Sequence, residues 1–192
     1  MNQKAFIKVD KATFYDFVSK HDDERFEYED GYIVQQMTGG TRKHGRLAVR
    51  FLDALRAGLD PSQFEVLPDR GVETVTTIRY PDVVVEPAAE IDTSLATLRP
   101  ALIVEVLSPS STARDLEHKP VEYTALASLV AYIVASQDDV ACLMWVRGPS
   151  GEFAAEPIEV AGADATLRIP ELNMSLSLSD IYRGIDLSPR ED

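Results

Sequence analysis

Cysteine is nearly absent from this chain. One residue of its type, Cys142, occurs in 192, so no disulfide can form within the chain. Long apolar runs are missing too. No stretch approaches the roughly 20 apolar residues that span a bilayer, and the first ten residues contain no apolar core of a signal peptide. A location in the cytoplasm and no membrane partner are therefore expected. Positive charge is scarce: 19 Lys and Arg stand against 32 Asp and Glu, a net charge of −13. That balance argues against non-specific affinity for nucleic acid, which depends on neutralising phosphates. It leaves room for a local basic stripe, of which Arg42-Lys43-His44-Gly45-Arg46 with Arg50 and Arg56 is the densest, and Arg114, His118 and Lys119 a sparser one. A solvated helix face is the plain alternative for any one of these residues. Internal repeats, low-complexity tracts and linkers are also lacking, so residues 1–192 are read as one domain. Its 45% hydrophobic and 27% charged residues suit an ordinary globular core.

What is present is patterned. Asp10 is placed to cap a short helix over residues 11–20. Residues 25–28 and 32–37 read as two strands, with Asp30-Gly31 as the hairpin signal between them. Leu47, Ala48, Phe51, Leu52, Leu55 and Leu59 recur at helical spacing, predicting a helix over 41–58 that stops at Gly58. His44 falls on its apolar side, where a core histidine is the alternative to a functional one. Strand-like runs follow at 64–67, 72–77, 82–86 and 102–107, with 87–100 as a polar connection between the last two. Ser108 to Thr112 reads as a turn-rich loop, and a helix with Pro120 in its first turn runs through Glu122, Tyr123 and Leu126. Strands at 130–135 and 141–146 and a short closing helix at 180–185 complete an order α-ββ-α-ββββ-α-ββ. The expected fold is α/β, a mixed β-sheet flanked by helices, with an N-terminal helix and β-hairpin.

Two acids stand out against this greasy background. Glu105 lies in the centre of Ala101-Leu-Ile-Val-Glu-Val-Leu107, a run that reads as a strand buried on both faces. An ionised group there costs several kcal/mol unless it is paired or ligated. Asp82 stands at the mouth of the similar run Tyr80-Pro-Asp-Val-Val-Val-Glu86. Should the two strands be neighbours, both carboxylates reach one hard divalent cation. Mg²⁺ is the expected ion, with Mn²⁺ able to substitute, because it binds through few carboxylates and keeps several waters. Such an ion suits phosphodiester hydrolysis, and a nearby lysine would stabilise the negative charge that develops. Glu86, Asp92 and the run His21-Asp-Asp-Glu24 are read as solvated surface groups instead.

This pairing resembles the PD-(D/E)xK nuclease superfamily, the restriction-endonuclease-like fold. Pro81-Asp82 and Glu105 match its motif, whereas Leu107 stands where the lysine belongs. The wider pattern resembles the Uma-type restriction endonucleases, a branch carried as a domain of unknown function. It comprises Arg25-Phe-Glu27, Asp30-Gly31, Met37, His44, Arg79-Tyr-Pro-Asp82, Pro100 to Ser110, Asp115, Lys119 and Tyr123 at spacing 4 and 4, and Leu129 to Val134.

The resemblance covers residues 22–146. It implies that the lysine has migrated to the following helix as Lys119, with Asp115 and Tyr123 on the same helix face. Pro120 argues for Lys119 at the helix cap. The resemblance also implies catalytic support from Glu27 and His44, Asp82 and Glu105 as metal ligands, DNA as substrate and a homodimer as the working unit. Gln36 is a weaker candidate for the site rim. For Glu27, strand alternation alone gives a solvent-facing residue, and for Lys119 the alternative is a solvated surface side chain. Besides a Mg²⁺-dependent nuclease, the sequence allows a nuclease-fold binding or regulatory module with little or no catalysis, and a small-molecule metallohydrolase.

Overall fold

A computed structural model describes residues 8–21, 23–36, 40–89, 91, 93–107 and 113–187. The helix α1 (Lys11–Val18) is capped by Asp10, whose carboxylate accepts from the Thr13 N–H at 2.8 Å. A hairpin of β1 (Phe26–Glu29) and β2 (Tyr32–Gln35) follows. Its turn has Asp30 at φ 50° and Gly31 at φ 96°, the paired positive angles that an Asp-Gly turn accommodates. The long helix α2 (Arg42–Gly58) has Thr41 as its cap and buries Leu47, Phe51 and Leu55. Each such side chain, removed from water, contributes about 1.5–3 kcal/mol.

Then come β3 (Phe64–Pro68), β4 (Gly71–Glu73), β5 (Thr77–Arg79), β6 (Val83–Pro87), β7 (Ala96–Thr97) and β8 (Leu102–Val106). After α3 (Ala113–Thr124) the chain forms β9 (Ala131–Ala135), β10 (Ala141–Val146), β11 (Ile158–Ala161), β12 (Thr166–Ile169) and β13 (Met174–Ser177), and ends in α4 (Leu178–Ile181). The strands make one sheet in the order β2-β1-β5-β4-β7, another in the order β11-β10-β9-β8-β6-β3, and a ribbon of β12 and β13. The six-stranded sheet is mixed: β6 and β8 run antiparallel, β8 and β9 parallel. It is covered on both faces. Leu47, Phe51 and Leu55 of α2 pack with Val83, Val85, Leu102 and Val104 on one side, and Tyr123 of α3 packs with Val84, Ile103, Tyr132 and Val134 on the other. No described helix is long and apolar enough to cross a membrane.

Several local expectations are corrected. The run 72–77 is not one strand but β4, a turn and β5, because Thr74 turns the chain. The Thr74 N–H donates to the Thr77 carbonyl, and the Thr77 N–H donates to Thr74 Oγ1. The connection 87–100 contains β7, which pairs in parallel with β4. Helix α3 begins earlier than expected and holds Pro120 in its interior rather than in its first turn. Lys119 is therefore inside the helix, not at its cap. The closing helix sits at 178–181 rather than at 180–185. Glu86 is not a surface acid: it is 2% exposed and accepts from the Arg70 guanidinium at 3.0 Å. His21 is half-buried and stacks on Phe17, with ring centroids 4.1 Å apart. Met37, Asp92 and the loop Ser108 to Thr112 lie outside the described residues, as does the side chain of Asp115.

Cys142 is buried on β10 with its Sγ 3.9 Å from Tyr182 Oη. Burial pushes its thiol up to about 12. The unfolded thiol ionises first as pH rises, so the stability this group contributes is complete below about pH 8.5 and is lost towards pH 12. Relative to Cys142→Ala, the native protein should lose up to about 1.4 kcal/mol per pH unit in that window, measured by urea unfolding. Equal slopes would refute the assignment.

Candidate functional site

The site is built where β6 begins and β8 ends. Val83 pairs with Val104, so one residue further along the same antiparallel register Asp82 lies across from Glu105. Asp82 is held from two sides. Its Oδ2 accepts from the N–H of Val106, the residue after Glu105, at 2.7 Å, and its Oδ1 is 2.8 Å from His44 Nε2. His44 reaches it from the first turn of α2, where Thr41 Oγ1 accepts the His44 N–H at 3.1 Å. The Asp82 hydrogen bond holds the imidazole above its ordinary range, against the opposing effect of burial. His44 Nδ1 is buried with no hydrogen-bond partner among the described residues.

Glu105 is satisfied by the opposite layer. Lys119 Nζ donates to its Oε2 at 2.8 Å, Tyr123 Oη to its Oε1 at 3.1 Å and Tyr132 Oη to its Oε2 at 3.3 Å. Lys119 and Tyr123 are four residues apart, one helical turn, and so present both donors to one carboxylate. Burial alone would push the Lys119 ammonium down, but the charge and hydrogen bond of Glu105, with the charge of Glu27, hold it above the usual lysine range. Burial, reinforced by the Glu105 charge, keeps the Tyr123 hydroxyl protonated well beyond the ordinary phenol range.

Glu27 is not solvent-facing. The sheet continues past β1 into β5, and Arg79 Nη1 donates to Glu27 Oε2 at 3.0 Å. Gln36 Nε2 donates to the same oxygen at 3.0 Å, and the Tyr80 N–H to Oε1 at 3.4 Å. Burial raises the Glu27 carboxyl above its normal range, and the Arg79 and Lys119 charges pull the other way. Arg79 itself, 6% exposed, also clamps Glu122 with Nε at 2.6 Å and Nη2 at 2.8 Å. The structure thus brings together all five candidates as two linked groups: Asp82 with His44, and Glu105 with Lys119, whose charges reach Glu27.

Three members were missed from sequence. Arg79 and Tyr132 lay within quoted motifs but were given no role, and Glu122 was read only as a helix residue. A single arginine within the otherwise uncharged run 74–81 was the available signal for Arg79. Among the described residues no three Asp, Glu, His or Cys side chains converge as a metal cage. The donor set is two carboxylates from adjacent strands. That fits Mg²⁺ or Mn²⁺, which accept one or two carboxylates and retain water, and falls short of the three or four protein ligands, histidine or cysteine foremost, that zinc takes.

A mixed, helix-flanked sheet carrying this pair of acids defines a restriction-endonuclease-like fold. A solved structure described as a putative nuclease belonging to DUF820, from Anabaena variabilis, superposes with a TM-score of 0.70 at 15% identity, covering 83% of this chain and 90% of that one. The uncharacterized protein slr1290 of Synechocystis sp. is 30% identical over 167 residues, 84% of this chain and 85% of its own length. The family model Uma2, described as putative restriction endonuclease, matches residues 12–179. The chain belongs to the Uma2 family.

Proposed function

We propose that this protein is a Mg²⁺-dependent nuclease that hydrolyses phosphodiester bonds of DNA. The observation that supports it most is the register that sets Asp82 across from Glu105, with Lys119 hydrogen-bonded to the second acid. Asp82 and Glu105 would hold the cation, which when bound supplies Lewis-acid polarisation and a more acidic water. Lys119 stabilises negative charge developing on the phosphate. His44 holds the Asp82 carboxylate in place by its Nε2 contact. Glu27 sets the electrostatic balance around Lys119 while staying bound to Arg79. Since cutting both strands calls for two sites, the working unit is read as a homodimer, and a monomer mass by light scattering would remove that element.

The second reading is a nuclease-fold binding or regulatory module. It is favoured by Leu107 in the lysine position of the motif and by the net charge of −13. Supercoiled plasmid incubated with protein and Mn²⁺ separates the two. The nuclease nicks or linearises it, EDTA stops the reaction, and Asp82→Ala is inactive. No conversion in either metal leaves the binding module. Equal conversion by both proteins exposes contamination. Independently of activity, Mg²⁺ or Mn²⁺ should raise the melting temperature, and Glu105→Gln should remove that increment. An unchanged increment would make Glu105 merely the buried partner of Lys119.

A further inference from the structure

Beside the Asp82 end of β6 lies a cavity of about 290 Å³, between α1, the start of β1 and the Tyr80 segment. His21, Arg25, Phe26, Asp69, Tyr80 and Leu95 line it. Its aromatic wall is braced from behind. Phe17 stacks on His21 at an interplanar angle of 20°, and meets Phe26 edge-on with centroids 4.9 Å apart. The His21 ring is fixed by its Nδ1, 2.8 Å from the Phe17 carbonyl oxygen. At the polar rim Arg25 forks onto Asp69 with two bonds of 2.8 and 2.9 Å.

This rim is tied to the candidate site. The Asp69 N–H donates to the Asp82 carbonyl at 3.3 Å, Tyr80 precedes Asp82 by two residues, and the Asp82 charge acts on both Arg25 and His44. The volume is at or below the low end of small-ligand sites, which suits one planar heterocycle rather than a larger molecule. Aromatic side chains bind bases by stacking, whichever base is offered. Stacking also gives affinity without phosphate neutralisation, the contribution in which a chain of net charge −13 is poorest.

We propose that this cavity receives one unstacked nucleobase of the strand being cut, against Phe26 and Tyr80, so that single-stranded or locally opened nucleic acid is preferred over an intact duplex. The inference rests on the nuclease reading for the strand's placement, and binding can be measured apart from cleavage. The full chain in EDTA is titrated into a short deoxythymidine strand that carries one central 2-aminopurine. The wild-type protein should quench the 2-aminopurine and bind the single strand more tightly than the same strand annealed to its complement. Tyr80→Leu and Phe26→Leu, each checked for an unchanged melting temperature, should weaken binding roughly 5- to 150-fold. Tyr80→Phe, which keeps the ring, should match wild type.

Absence of quenching, equal affinity for the duplex, or wild-type binding by both leucine variants would overturn the proposal. Quenching with the expected variant pattern in a protein that cuts nothing would sink the nuclease reading and leave the base pocket standing. Plasmid cleavage without that pattern would do the reverse.

Discussion

Lys119→Met should lower the rate of metal-dependent plasmid cleavage by about 10²- to 10³-fold, the usual cost of removing one preorganised charge-stabilising donor. The same variant should bind Mn²⁺ as tightly as wild type or more tightly. The reason lies in the geometry at Glu105. Lys119 Nζ occupies Oε2, an oxygen that a cation would also use, so the ammonium and the metal compete for it. Tyr123 and Tyr132 still donate to Glu105 when the lysine is gone, which limits the loss of stability. Rates from plasmid cleavage and affinities from Mn²⁺ titration calorimetry check the two halves separately. If rate and metal affinity fall together, Lys119 acts only by holding Glu105 in position.

Arg79→Ala should cost about 3–5 kcal/mol of folding stability, the range found when one partner of a buried charge pair is removed. Arg79 sits between Glu27 and Glu122 and is within 3.6 Å of Glu29, so its loss leaves two enclosed carboxylates without their counter-charge. A leucine truncated to alanine in the same sheet would lose packing alone. Part of the deficit should return as pH falls. Glu27 already has its carboxyl raised by burial, and a raised carboxyl contributes stability that is complete below its unfolded value and lost as pH rises through the folded one. Urea unfolding at about pH 8 and about pH 5.5 would test this. A deficit below about 1 kcal/mol, or one that widens on acidification, would mean that water reaches the cluster freely.

The features legible in the sequence were those set by local period and turn chemistry. The spacing of Leu47, Phe51 and Leu55 defined α2, Asp30-Gly31 defined the first hairpin, and the apolar run around Glu105 defined a central strand. Asp82 and Glu105 could be named because a carboxylate in such a run needs a reason. What stayed hidden depended on partners distant in the chain. Glu27 looks solvated by alternation until Arg79, 52 residues away, covers it, and Glu86 looks exposed until Arg70 closes on it. Pro120 misled for another reason. Proline lacks one backbone donor and disfavours the helix around it, yet α3 continues through it, with Tyr123 packed in the core beyond it and Lys119 bonded to Glu105 just before it. Tertiary packing overrode the local preference.

The Asp82 bond to the Val106 amide has one further effect. In an antiparallel ladder a shift of one residue turns every side chain to the other surface, and here it would send Asp82 away from Glu105 while moving Val83 and Val85 from the α2 side of the sheet to the α3 side. Slippage of the two strands is therefore penalised twice, by valines packed into the wrong layer and by a stranded amide. Heat should accordingly abolish cation affinity and the fold in one transition, with no lukewarm state that keeps its shape but has lost its chemistry.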